Sequence, residues 1–192
     1  MEQPPIGEAP RPIDIFRKIE EIHKDFFAKV PNYNRAVWSP EEAIQIKSGG
    51  CMAELLYVAG SLLYKKTVQE SDLSIFFSVD HGKQTESSMI GGTTSNIKHV
   101  VLVLNVGGQQ FECDFRANRA DEAPRWQELA KDDEVFSDQA VEFFTLGEGL
   151  YEYAHRLGAP DESIPGVVDL ISWHDPHRPT PGIDQIRFDE EF

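Results

Sequence analysis

The run Met52-Ala53-Glu54-Leu55-Leu56-Tyr57-Val58-Ala59-Gly60-Ser61-Leu62-Leu63 is apolar on nearly every side of a helix. A surface helix carries a single apolar stripe, so a helix with this sequence has to be enclosed all round. The rest of the chain must therefore wrap residues 51–65. Gly60 costs about 1 kcal/mol relative to alanine in a helix interior, and we take it to mark close packing against a sheet. Immediately before the run stands Ser48-Gly49-Gly50-Cys51. A cysteine at a helix start meets unsatisfied amides and the positive end of the helix dipole, which favour the nucleophilic thiolate.

A base for that thiol lies downstream. His99 opens His99-Val100-Val101-Leu102-Val103-Leu104-Asn105, and Asp114 closes Gln109-Gln110-Phe111-Glu112-Cys113-Asp114. Between them Val106-Gly107-Gly108 is a hairpin signal. With Gly107-Gly108 as a two-residue turn, Val106 pairs with Gln109, Val101 with Asp114 and His99 with Arg116. His99 and Asp114 are then diagonal neighbours on one strand face. A four-residue loop over 105–108 puts them directly opposite, still on one face; only an odd loop or a bulge separates them. The other face carries Val100, Leu102, Leu104, Phe111, Cys113 and Phe115, the pattern of a sheet buried in a core.

Cys51, His99 and Asp114 thus form a nucleophile, base and orienting carboxylate on a helix start, a strand and the next strand. Residues 39–56, with His99-Val100-Val101-Leu102-Val103 and Glu112-Cys113-Asp114, resemble the core of the transglutaminase-like superfamily. That papain-like group includes transglutaminases, bacterial cysteine proteases, peptide N-glycanases and, more distantly, arylamine N-acetyltransferases. The resemblance covers roughly residues 39–116. It implies an α+β fold in which a central helix starting at the nucleophilic cysteine packs on an antiparallel sheet. Within the group, Gly50 abuts Cys51 and no arginine precedes Gly49, unlike the acetyltransferases. Two cysteines also leave no set for the zinc of the larger N-glycanases. Val101, Gln110-Phe111 and Phe115 stand where the family often has an aromatic residue, a tryptophan and a proline.

The chemistry implied is acyl transfer on peptide or amide bonds. His99 takes the Cys51 proton, Asp114 holds the imidazole, and the thiolate attacks a carbonyl to give a thioester. The Cys51 amide is one oxyanion donor. Gln45, six residues before Cys51, stands at the offset that resembles the oxyanion glutamine of papain-like proteases. Arg116 is a candidate for binding a substrate carboxylate. Hydrolysis, as a protease or deamidase, is favoured over amine transfer, because a small chain has little sequence for the dry tunnel a transferase needs. The alternative is a catalytically idle domain of this fold that binds a basic protein.

At 192 residues the chain suits one domain, expected over 1–160, followed by a C-terminal strap or tail over 161–192. A formal charge of −15 argues against nucleic acid and anionic membranes as partners, and suits a peptide or protein substrate, basic or bearing a lysine or polyamine amine. With no signal-like start and no apolar span, the expected location is cytoplasmic, export by a signal-independent route aside. With only Cys51 and Cys113, no disulfide framework is available, and Cys113 is expected to be a structural thiol. No cofactor or metal is expected. His174-Asp175-Pro176-His177 is taken as a solvated loop, since the proline keeps the two histidines off a common helix face.

Elsewhere the apolar spacing predicts a helix over 13–30, with His23 on its surface. A second helix is expected from Ser39, with Pro40 in its first turn and Glu42 closing a capping box. A strand is expected over 73–79. Residues 80–98 form a polar loop before His99, a candidate lid. A short helix near 126–130 and a longer one over 137–157 complete the expectations, with Gly147 as a point where the latter bends or divides.

Overall fold

The computed structural model describes residues 11–34, 37–79, 89–90, 93–94, 97–115, 123–129, 140–161 and 164–175. Its axis is α3 (Cys51–Tyr64), along which every residue from Met52 to Leu63 is buried, as an all-round apolar helix requires. Five antiparallel strands lie beside it in the order β8-β7-β6-β3-β9: β3 (Leu73–Val79), β6 (Ile97–Val106), β7 (Gln109–Asp114), β8 (Arg125–Glu128) and β9 (Ala140–Thr145). The fold is α+β, with the helix that starts at Cys51 packed on an antiparallel sheet. One sheet face, carrying Ile75, Phe77, Val100, Leu102, Leu104, Cys113 and Phe115, shares the main core with α3. The other buries Phe76, Val101 and Val103 under Leu129 and Val141.

α1 (Pro12–Lys29) covers a second side of α3 through Ile15, Phe16, Ile19, Ile22 and Phe26. Tyr57 fastens the two helices: its hydroxyl donates to Asp25 at 2.5 Å, and Lys29 donates to Tyr57 and Asp25 at 2.6 and 2.8 Å. α2 (Pro40–Ile46) precedes a two-residue parallel pair of β1 (Asn32–Tyr33) and β2 (Ser48–Gly49). Ser39 is the backbone N-cap of α2 with Pro40 following, but its side chain makes no capping bond, so the expected capping box is not closed. The same signature is satisfied elsewhere: Thr145 and Glu148 close a reciprocal box at the start of α4 (Leu146–Arg156).

That box corrects the expectation of one helix over 137–157. Residues 140–145 pair with β3 from Ser74–Thr145 to Val79–Ala140, and the chain turns helical only at Leu146. Strand pairing with an already buried neighbour outweighs the period-three spacing of Val141, Phe144 and Leu150. Likewise the helix expected near 126–130 is β8. Trp126 pairs across to Cys113 and stacks on Phe16 with ring centroids 3.9 Å apart, a contact that fixes it in a strand. Within 80–98, β4 (Met89–Ile90) pairs with β5 (Thr93–Thr94); the rest of the expected lid lies outside the described residues, save the start of β6.

Residues 164–175 act as a strap. α5 (Val167–Ser172) buries Leu170 completely against α3. Gly60 marks this contact and not, as expected, an approach to the sheet: a Cβ there would lie 2.6 Å from the Leu170 carbonyl oxygen and 3.1 Å from the His174 ring. His174 is accordingly no solvated loop residue; it packs on the Tyr57 ring at 4.5 Å, and burial lowers its pKa to about 4. Among the described residues, no group of metal-ligand side chains is gathered and no helix is long and apolar enough to cross a membrane.

Gly60→Ala should destabilise the protein although alanine is the better helix former. The gain in propensity is about 1 kcal/mol, while overpacking against a backbone carbonyl costs about 1–3 kcal/mol. Urea unfolding should show the loss, and proteolysis should open the chain first between 158 and 175. Because the His174 pKa is depressed, its stability contribution is complete above about 6.5 and is lost as the pH falls toward about 4. Acidification through that window should expose α5 to amide exchange before the sheet.

Candidate active site

Gly107 and Gly108, with φ of +62° and +83°, close the β6–β7 hairpin as a two-residue turn, a conformation that strongly favours glycine at both positions. The register follows: Val106 pairs with Gln109 and Leu102 with Cys113, the first of the two pairings considered from sequence. His99 and Asp114 come together on one face, and His99 Nε2 lies 2.7 Å from Asp114 Oδ1. The two side chains are 13 % and 18 % exposed, shielded yet open to a ligand. An Asp114 that accepts from Nε2–H leaves Nδ1 with the lone pair a base needs.

A bulge lies just ahead of this histidine. Ser78 pairs with His99 while Val79 pairs with Ile97, so Lys98 is an extra residue in the ladder. Without it, alternation would place Ile97 and His99 on one face. With it, Ile97 enters the core at 2 % exposure, whereas His99 keeps the face of Val101 and Val103 that regular alternation along β6 gives it, beside buried Ser78.

Cys51 stands at the first position of α3, after Gly50, which has no side chain to cap the helix. Gly49 makes this placement sterically feasible: a Cβ on it would lie 2.7 Å from Ala43 Cβ and 3.3 Å from Val30. Cys51 is half-buried and lines a cavity with Phe26, Phe27, Asn32, Gly50, Glu54 and Phe115, among others. Phe115 follows Asp114, so Cys51 and the His99–Asp114 pair occupy the same end of the sheet. They approach it from different sides: Cys51 packs with the α3 core, whereas His99 does not line the cavity. Gln45 is exposed on α2 and is not part of the cavity wall. Arg116 lies outside the described residues.

Cys113 is fully buried, and that burial, together with the nearby carboxylates of Glu54 and Asp114, pushes its thiol far above the ordinary range. It is an inert core thiol.

One pair was missed from sequence. His23, expected on the surface of α1, is fully buried, and its Nδ1 makes a short hydrogen bond to Glu54 Oε1. The signal was present: Phe16, Ile19, His23, Phe26 and Val30 follow a strict 3-4-3-4 spacing, which puts His23 on the buried face. Glu54, inside an all-round buried helix, needed a partner there. Burial raises its pKa to about 7, against the opposing pull of His23.

Comparisons with protein-family models, curated proteins and solved structures give no match to this chain.

Because the Glu54 pKa is raised, its contribution to stability is complete below about 4.5 and is lost as the pH rises toward about 7. Glu54→Gln should remove that loss. The unfolding free energy of the variant minus that of the wild type should increase between those two pH values and level off above them, as measured by urea titration at each pH.

Proposed function

We propose that this protein is a cysteine-dependent acyl-transfer enzyme of papain-like, transglutaminase-like type, acting on peptide or amide bonds. One observation carries the reading: an imidazole oriented by a carboxylate at 2.7 Å stands at the end of the sheet where a cysteine begins the central helix. Cys51 is the nucleophile, His99 the base through Nδ1, and Asp114 the residue that sets the imidazole tautomer and balances its cation. Attack on an amide carbonyl forms the Cys51 thioester and expels the amine, which takes its proton from His99. The Cys51 backbone amide, at the positive end of α3, is the first oxyanion donor, and Gln45 is a second once substrate lies over the exposed side of α2. The chain's −15 charge favours a basic peptide or protein substrate.

A second reading has its own support. Because His99 does not line the Cys51 cavity, the same fold also suits an idle domain that binds a basic protein.

Alkylation of Cys51 by iodoacetamide as a function of pH separates the two. In the enzyme, labelling is fast well below the roughly 8.5 of an ordinary thiol. His99→Ala should abolish that low-pH reactivity and Asp114→Asn should weaken it, while Cys113 stays unlabelled until the protein unfolds. Equal, slow labelling of Cys51 in wild type and His99→Ala would leave the binding domain as the better account.

A further inference from the structure

The cavity beneath Cys51 offers about 10 Å³ to the centre of a water-sized sphere, room for about one water. Its wall is mostly apolar, from Phe26, Phe27, Val30 and Phe115; besides the thiol its ionisable groups are the buried Glu54 carboxyl and the phenol of the exposed Tyr33. Glu54 is 3 % exposed and sits one helical turn from Cys51, a spacing that brings Cβ atoms to about 5–6 Å. His23, buried behind it, holds Oε1 through Nδ1. A buried acid and histidine in the centre of a core are costly to keep, and the acylation chemistry assigned to His99 and Asp114 does not use them.

Building on the proposed acyl-transfer activity, we propose that Glu54, positioned by His23, is the general base for hydrolysis of the Cys51 thioester, which makes water the acyl acceptor and the protein a hydrolase. The water in the cavity gives a proton to the Glu54 carboxylate as its oxygen attacks the thioester carbonyl carbon. The tetrahedral intermediate then collapses: the C–S bond breaks, the carboxylic acid leaves, and the Cys51 sulfur recovers the proton from Glu54. No oxidant, metal or second substrate enters the balance. The cavity selects the acceptor by size, because an amine carrying even a short alkyl chain exceeds the space of one water.

A carboxyl held near 7 by burial suits this exchange, since it can accept and return a proton at neutral pH. Of the other titratable groups in reach, Cys113 is kept protonated by its own burial and does not compete. His23 Nε2 is buried without a hydrogen-bond partner among the described residues, so the imidazole's fixed polar contact is the one to Glu54.

The test is pre-steady-state hydrolysis of p-nitrophenyl acetate by the full chain, with the acetyl-enzyme followed by intact mass. The wild type should give a nitrophenolate burst that Cys51→Ala lacks, followed by turnover. In Glu54→Gln the burst should persist while decay of the acetyl-enzyme slows about 10²–10⁴-fold, the span of a lost general base. Wild-type decay should rise through an inflection near pH 7, and His23→Asn should displace that inflection, which a purely structural role would not do. Adding glycine methyl ester should leave wild-type decay unchanged; acceleration by this amine would overturn the choice of water, and this arm decides the matter even if Glu54→Gln does not fold. Turnover in Glu54→Gln at the wild-type rate would overturn the role of Glu54 while leaving Cys51 acylation intact. A wild type with no burst beyond that of Cys51→Ala would remove the acyl-transfer reading, and this inference with it.

Discussion

Enclosure of α3 is the constraint on which the rest of the molecule depends. A helix with no solvent face needs cover in every direction, and four elements supply it: the sheet on one side, α1 on another, α5 over Gly60, and α2 at the end where the chain enters. Close approach sets the geometry at both ends. Gly49 lets α2 and the end of α1 crowd the helix start, and Gly60 lets a carbonyl and an imidazole lie on its far half. The position of Cys51 follows, because the sulfur is fixed wherever the helix is fixed. A candidate nucleophile is in this way held by the packing of the whole core.

Burial also decides which ionisable groups have chemical options. Cys113 and Cys51 are the same residue type, yet one is sealed beneath the sheet with its proton locked on, and the other sits at a helix start on a cavity. Glu54 and Asp114 show a parallel contrast. Asp114 stays partly exposed at a strand end and orients a partly exposed histidine, whereas Glu54 is taken out of water beside a fully buried one and holds its proton to about pH 7. One carboxyl–histidine pair thus joins two strands partly in solvent and the other joins two helices inside the core, in different dielectric surroundings.

Much of this was legible in the chain because the signals were local. The Gly107-Gly108 turn fixed the hairpin register, and the register alone put His99 and Asp114 on one face. The all-round apolar run gave the central helix nearly to the residue. What escaped was non-local. The bulge at Lys98 arises from pairing with β3 and carries no mark in the sequence around it. The side-chain spacing of β9 and β8 also fits a helix; only a neighbouring strand, or the ring of Phe16 under Trp126, selects the extended form. His23 is a different case. Its 3-4-3-4 spacing places it inside, although the polarity of an imidazole by itself suits the surface.

The strap over Gly60 has a consequence for how the protein is made. Synthesis runs from the N-terminus, and domains form as their parts emerge. α3 is complete by residue 64, but the residues that cover its far side come around position 170, and β9, which completes the sheet beside β3, comes only at 140–145. From residue 64 until about residue 170 the growing chain therefore carries a helix whose far side has no native cover. The interval between α3 and α5 is a window in which this protein depends on transient shielding from elsewhere, and its length is set by the chain order of two elements that end in contact.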